Sequence, residues 1–243
     1  MQIIKLDATE STNTYLKELA MTKILPDFTV VYTQNQTLGR GQLNSVWESE
    51  PGKNLAISIL KQYGALANDF SFLISICVSL GVLESLREFK IPNLSVKWPN
   101  DIMSGTFKIG GILIENKISG TQIKSAVIGF GLNLNQQSFK NAPHAASLKQ
   151  LVSRTFDVDV ILYSLLTALN NHLSKPLVSK KEELFDAYHA NLFKLGVPSQ
   201  FKLQNDQVLV GTIKGIAKNG KLKVEFENGQ LQEFGLKEIQ LLY

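Results

Sequence analysis

The sequence predicts an α+β fold, a sheet-and-helix sandwich followed by a small all-β module. Three observations carry that reading. Strand-like and helix-like segments occur without steady βαβ alternation, which disfavours a doubly wound sheet. The stretch 145–193 switches to helical periodicity. From Gly196 the character changes again, to short alternating runs around Asn228-Gly229, a strong hairpin signal.

Taken in order, residues 2–6 alternate like a strand, and Ser11, Thr12 and Asn13 offer side-chain oxygens to the free N–H groups of a helix start. "FTVVYTQ" (28–34) is β-branched and aromatic, hence a strand, and "LAISIL" (55–60) is another. The apolar segment 70–89 reads as a buried helix stopped by "IPN"; serines interrupt it, and it is too short for a membrane span. "LSVKWP" (94–99), "FKIGGILIE" (107–115) and "SAVIGFGLNLN" (125–135) are strand-like, with glycines where backbones approach closely. "DVDVILYSLLTALNNHL" and "KKEELFDAYHANLFKL" are helical, the latter with a charged face. The expected division is a main domain over 1–195 and a β module over 196–243.

Composition excludes several classes. Of 243 residues, 44% are hydrophobic and 19% charged, so the chain is globular and long enough to bury a core without staples. Its net charge is +4, and Arg occurs only at positions 40, 87 and 154, too dispersed for a dedicated nucleic-acid protein. The single cysteine, Cys77, sits in an apolar run and reads as a core thiol, which fits a reducing, cytoplasmic setting. The opening residues do not resemble a signal peptide. His144, His172 and His189 lack metal-ligand spacing.

Four clusters can carry chemistry. In "GRGQLNSVW", Gly39 and Gly41 flank Arg40, so free N–H groups and a guanidinium fork can meet an anion, while Trp47 adds an apolar face. Read alone, the segment is equally a mobile surface loop. "KWPNDI" (97–102) brings Lys97, Asn100 and Asp101 to a strand end, a setting for a magnesium ion or a ribose hydroxyl; its alternative is a turn closing a hairpin. "KIGGILIE" begins with Lys108, either an edge-strand gatekeeper or a cation beside an anionic substrate. "GFGLNLN" contributes Asn133 to a pocket, or only packs in its strand.

In combination, Ser11-Thr12-Asn13, Gln36, the Gly-Arg-Gly loop with Trp47, KWPND, the Lys-x-Gly-Gly-Ile-Leu strand and GxGxNxN resemble the biotin protein ligases, over most of residues 7–135. The module at 196–243 sits where that family keeps an SH3-like domain. The resemblance implies a class II synthetase-like catalytic domain with a mixed or antiparallel central sheet. It implies ATP and biotin as substrates, magnesium, a biotinyl-5′-adenylate intermediate, and a lysine of a biotin carboxyl carrier domain as acceptor. By the same resemblance Ser11, Thr12, Asn13, Gln36, Gly39, Arg40, Lys108 and Gly111 bind biotin. Arg40, Gly41, Gln42, Trp47, Lys97, Asn100 and Asn133 bind ATP or the adenylate. Lys108, Arg40 and Asp101 act in catalysis, with Asp101 a ligand of the magnesium or its neighbour. Many members read Gly-Arg-Gly-Arg-x-Gly; here Gln42 and Asn44 replace the second Arg and third Gly, so faster escape of the intermediate is expected. No winged helix, operator binding or membrane contact is expected, and the resemblance allows a homodimer. The alternatives are a lipoate–protein ligase sharing the acyl-adenylate chemistry, and a non-catalytic biotin or nucleotide sensor.

Overall fold

The structure is a computed structural model that describes residues 1–42 and 45–243, so Asn44 lies outside the described residues. Its main sheet has seven strands in the order β1 (Gln2–Leu6), β2 (Thr29–Thr33), β3 (Leu55–Ala67), β7 (Gln122–Leu132), β6 (Phe107–Ser119), β5 (Asp101–Ser104), β4 (Leu94–Lys97). Only β1 and β2 pair in parallel; every other neighbour is antiparallel, as hairpin connections allow. The α+β expectation therefore holds, with a mixed central sheet. "NDIMS" hides one further strand, β5, because a four-residue strand entered directly from the Trp98-Pro99-Asn100 reversal gives too little periodicity to read.

Strand parity decides what each face of this sheet does. Successive side chains alternate between faces. Ile57, Ile59, Ile112, Ile128, Phe130 and Leu132 join one large apolar cluster with helix α2 (Ser71–Glu88) and helix α4 (Val158–Leu173). Gly81 lets those helices close up, since a Cβ there would meet Leu169 at 3.2 Å. The stretch Asn68–Glu88 is long and apolar enough to cross a membrane by composition, but it is mostly buried inside the protein and serves as its core helix. Cys77 belongs to that core, and burial pushes its thiol up to about 12.

The opposite face holds helix α1 (Thr12–Thr22), whose Leu16 packs on Val31, Leu60 and Val127. Beyond α1 that face carries small residues. Ala56 pairs with Gly131, Ser58 with Gly129, Gly111 with Gly131 and Leu113 with Gly129. Where a sheet bears alanine, serine and glycine, it leaves a hollow.

Helices α3 (Leu148–Val152) and α5 (Lys181–His189) complete the helical layer. The sequence suggested that α5 continues to residue 195; instead residues 190–195 leave the helix, because Val96 donates to Asn191 and accepts from Phe193 through its backbone. A second antiparallel sheet follows, in the order β11 (Leu231–Phe234), β10 (Leu222–Phe226), β9 (Val208–Ile216), β8 (Pro198–Leu203), β12 (Ile239–Leu242). The Asn228-Gly229 turn joins β10 to β11 as its residues demand. This sheet docks on the first through Trp98 Nε1, which donates to Gly220 O at 2.9 Å, and His189 Nε2, which accepts from Ile216 N at 2.8 Å.

Candidate active site

A hollow of about 510 Å³ opens over the small-residue face of β3, β7 and β6. Its wall on the α1 side begins with Ser11, whose extended backbone and side-chain oxygen cap the helix at Thr14 N. Thr12 N donates to Gln36 Oε1 at 3.0 Å, tying the helix start to the segment before the glycine loop. Asn13 lies over Gly129, where a Cβ would come within 2.4 Å of its Oδ1. Ser11, Thr12, Asn13 and Gln36, nominated from sequence, all line the hollow.

Residues 39–41 and 45–47 pair with each other through Trp47 N to Gly39 O at 2.8 Å and Gly41 N to Ser45 O at 2.7 Å. Trp47 then reaches across to β6 and β7. Its ring occupies the space that a Cβ on Gly131 would need, at 2.7 Å, and sits 3.1 Å from a Cβ on Gly111. Lys108 Nζ stands 5.7 Å from the Trp47 ring centroid, a cation over an aromatic face. Arg40, Gly41, Gln42, Trp47, Lys108 and Gly111 line the same hollow.

Lys108 is not an edge residue, since β6 lies between β5 and β7; the gatekeeper alternative fails on topology. Its ammonium is 2.5 Å from Asp101 Oδ1, and Lys97 is 3.5 Å from the other oxygen. Asn100 brackets β6, donating from Nδ2 to Ile112 O at 2.7 Å, which brings the KWPND turn against the hollow. The turn closes the β4–β5 hairpin, as its alternative reading had it, and it also brings Asn100 and Asp101 to the wall of the hollow. On the other flank, Arg40 Nη2 donates to Thr14 Oγ1 at 2.9 Å and lies 3.6 Å from Glu115 Oε2. Burial alone would raise the Glu115 pKa, but hydrogen bonds from Lys17 and Asn13, with the charges of Lys17 and Arg40, bring it below the usual carboxylate range.

Three nominated residues fall elsewhere. Gly39 does not line the hollow; a Cβ there would strike Trp47 O at 2.6 Å and Gln36 Nε2 at 2.8 Å, so it acts as a close-approach point behind the wall. Lys97 faces an adjoining cleft of about 620 Å³ between the two sheets, with Nζ 4.7 Å from the Tyr243 ring centroid. Asn133 lies in a separate cavity of about 330 Å³ that shares Trp47 and Lys108 with the hollow. There Asn133 donates to Ala146 O at 3.3 Å, while its buried Oδ1 has no partner among the described residues.

Asp101 does not make a metal site by itself. Two ammonium groups already hold its carboxylate, and no group of three His, Cys, Asp or Glu gathers among the described residues. Sequence reading missed Ser58, Glu115, Lys237 and Gln240. Ser58 was detectable as the lone hydroxyl in "LAISIL", and Glu115 as the next position after Gly111 and Leu113 in a run of two-residue steps along one strand face. Lys237 and Gln240 line the hollow from the second sheet, a contact no local pattern encodes.

Comparisons with known proteins agree with this geometry. Residues 6–133 match the model of the family described as the biotin/lipoate A/B protein ligase family. The bifunctional ligase/repressor BirA of Bacillus spizizenii is 31% identical over 136 residues, which is 56% of this chain and 41% of that protein. The chain therefore spans less than half the length of that relative. The biotin–[acetyl-CoA-carboxylase] ligase of Mycobacterium tuberculosis is 27% identical over 217 residues, 88% of this chain and 79% of that protein. In fold, the biotin protein ligase from Aquifex aeolicus, solved with biotin and ATP, superposes at a TM-score of 0.80 and 24% identity, covering 99% of this chain and 98% of that one.

Proposed function

The chain belongs to the biotin/lipoate A/B protein ligase family, and from that premise we propose that it is an ATP-dependent biotin–protein ligase. It joins biotin to ATP as biotinyl-5′-adenylate with release of pyrophosphate. It then passes the biotinyl group to a lysine ε-amine of a biotin carboxyl carrier domain in a biotin-dependent carboxylase. The observation that carries this reading is that Lys108 and Arg40 line one hollow together with Ser11, Thr12 and Gln36. Two anions that repel each other need cations in a shared cavity; a neutral ureido ring needs matched polar groups.

The steps follow from those groups. The biotin carboxylate attacks the α-phosphorus of ATP, the bond to the bridging oxygen breaks, and pyrophosphate leaves. Lys108 exchanges its pairing with Asp101 for the carboxylate and α-phosphate, and stabilises the charge that grows between them. Arg40 and the Gly41 backbone hold the adenylate from the loop, and Trp47 covers it from water. Asn133 is assigned the base of the nucleotide, since its unpaired Oδ1 suits an exocyclic amine; Lys97, Asn100 and Gln42 border the cleft that leads away from Lys108 and are assigned the phosphates. Magnesium arrives with ATP as part of the substrate. Asp101, lying between two lysines, is a partner for that complex and not a resident metal centre.

Ser11, Thr12 and Gln36 are assigned the ureido ring, with Asn13 holding the wall. Leaving one such polar partner unmatched costs about 1–3 kcal/mol, which favours biotin over lipoate, whose dithiolane ring has no such groups. The proposal treats 1–195 as the catalytic domain and 196–243 as an SH3-like module, a cytoplasmic location and a homodimer being further parts of it.

Mass spectrometry of a carrier domain after incubation with biotin, ATP and magnesium tests the proposal. A single biotinyl adduct on one lysine is expected. No adduct with biotin but one with lipoate assigns the lipoate alternative. Lys108→Ala should lower pyrophosphate release about 100-fold or more; unchanged biotin binding with no turnover in the parent protein would favour a sensor.

A further inference from the structure

We propose that Glu48 is a positioning residue: by clasping the backbone of Lys140 and Asn141 it fixes one wall of the Asn133 cavity, and so the grip on the nucleotide. The inference rests on the reading above that gives this cavity to the base of ATP.

Charge alone gives no reason for a carboxylate at this place. Glu48 lines the cavity of about 330 Å³ together with Asn133, Trp47 and Lys108. ATP is a polyanion, and a like charge close by weakens its binding. The hydrogen bonds supply the reason. Glu48 Oε1 accepts from Lys140 N at 2.8 Å, and Oε2 accepts from Asn141 N at 2.8 Å. Two consecutive N–H groups thus meet the two oxygens of one carboxylate, a charge-assisted fork that a single acceptor cannot reproduce.

That fork is one foot of an arch. From Asn141 the chain turns, with Ala145 N donating to Ala142 O at 2.9 Å. It then reaches β6, where Lys108 N donates to His144 O at 2.8 Å and Ala146 N donates to Lys108 O at 3.0 Å. Lys108 is therefore the other foot. Along the arch, Asn141, Ala142 and Ala145 line the cavity, and Phe139 lines it just before. The Lys108 foot belongs to the sheet, whereas the first foot is a single side chain on the residue after Trp47. Trp47 itself is held separately, through its N–H to Gly39 O at 2.8 Å. Release of Glu48 thus loosens the nucleotide wall and leaves the cover of the hollow in place.

The test measures pyrophosphate release with ATP and biotin each varied while the other saturates, in the parent protein, Glu48→Gln, Glu48→Ala and Glu50→Gln. Glutamine at 48 is nearly the same size, but it has one acceptor oxygen and turns an NH₂ toward the second N–H. Both variants at 48 should raise KM for ATP by about fivefold or more, with KM for biotin within about twofold of the parent value. Glu50→Gln removes an equal charge from the same segment and keeps an acceptor for Ser138, whose hydroxyl donates to Glu50 Oε1 at 3.3 Å. Its KM for ATP should stay within about twofold of the parent value. The effects differ in sign: removing a carboxylate that only repelled ATP lowers KM, and losing the clasp raises it. A KM for ATP that falls, or rises by less than about fivefold, in either variant at 48 overturns the inference, as does an equal rise in KM for biotin or in Glu50→Gln. So does a lower kcat with both KM values unchanged, the mark of lost folded protein. Each of these outcomes leaves the ligase reading standing; no pyrophosphate release from the parent protein overturns both.

Discussion

Gly129 and Gly131 lie two residues apart on the same face of β7, yet an added methyl should act differently at each. At Gly129 the new Cβ falls 2.4 Å from Asn13 Oδ1, 2.9 Å from its Cγ and 3.0 Å from its Nδ2. Asn13 cannot move aside, because Leu113 O, Glu115 and Ser58 all hold it and it is buried. Overpacking of a tight interior costs about 1–3 kcal/mol, and a displaced buried hydrogen bond costs a similar amount. Against this, alanine gains about 0.4–1 kcal/mol over glycine from the unfolded chain where the backbone tolerates it. The expected net loss for Gly129→Ala is about 3 kcal/mol, or roughly 6–12 °C in Tm for a chain of this size. At Gly131 the obstacle is the Trp47 ring, at 2.7 Å, carried by a partly exposed loop that can swing outward. Gly131→Ala should therefore keep its Tm within about 2 °C, as for substitutions with a compliant neighbour, while losing the cover over the site and with it most of the proposed ligase activity. Thermal unfolding and pyrophosphate release on both variants decide the matter. Equal loss of stability in the two, or a normal Gly129→Ala protein, would refute the reasoning that the neighbour's freedom sets the cost.

Other outcomes follow from charge. Gln42→Arg adds a cation at the point where the hollow meets its neighbouring cleft; labelling of bystander amines without carrier should fall, and an unchanged leak means that retention does not depend on this position. Because Glu115 is held below its ordinary value, its ion pairs stabilise the fold fully above the unfolded carboxylate range, near pH 4.3, and that contribution is lost as pH falls through the lower folded value. Denaturant unfolding from about pH 6 to pH 3 should therefore show a steeper decline for the parent protein than for Glu115→Gln.

Much of this architecture was legible in the sequence because it is local. Strand β2, helix α2 and the Asn228-Gly229 hairpin each declare themselves within a few residues. The site was legible where it clusters in short motifs, as with Ser11-Thr12-Asn13, Arg40, Lys108 and Gly111. It was not legible where pairing across the sheet decides the outcome. Nothing near Asn133 in sequence says that it opens into a different cavity from Arg40, and nothing near Lys237 says that it borders the same hollow as Thr12. Those facts depend on a register between strands far apart in the chain, and on docking of one sheet against another. Gly39 was misplaced for a related reason: glycine signals close approach, but not what approaches.

The register of β3 against β7 sets Ala56, Ser58 and Leu60 opposite Gly131, Gly129 and Val127. A single inserted residue in β7 would invert the phase, swinging Phe130 and Ile128 into the ligand's space and burying glycines among the helices, whereas a two-residue insertion would restore the original alternation. Vacancy in this protein is accordingly a property of odd-and-even counting, and length variation within that strand is survivable only in pairs.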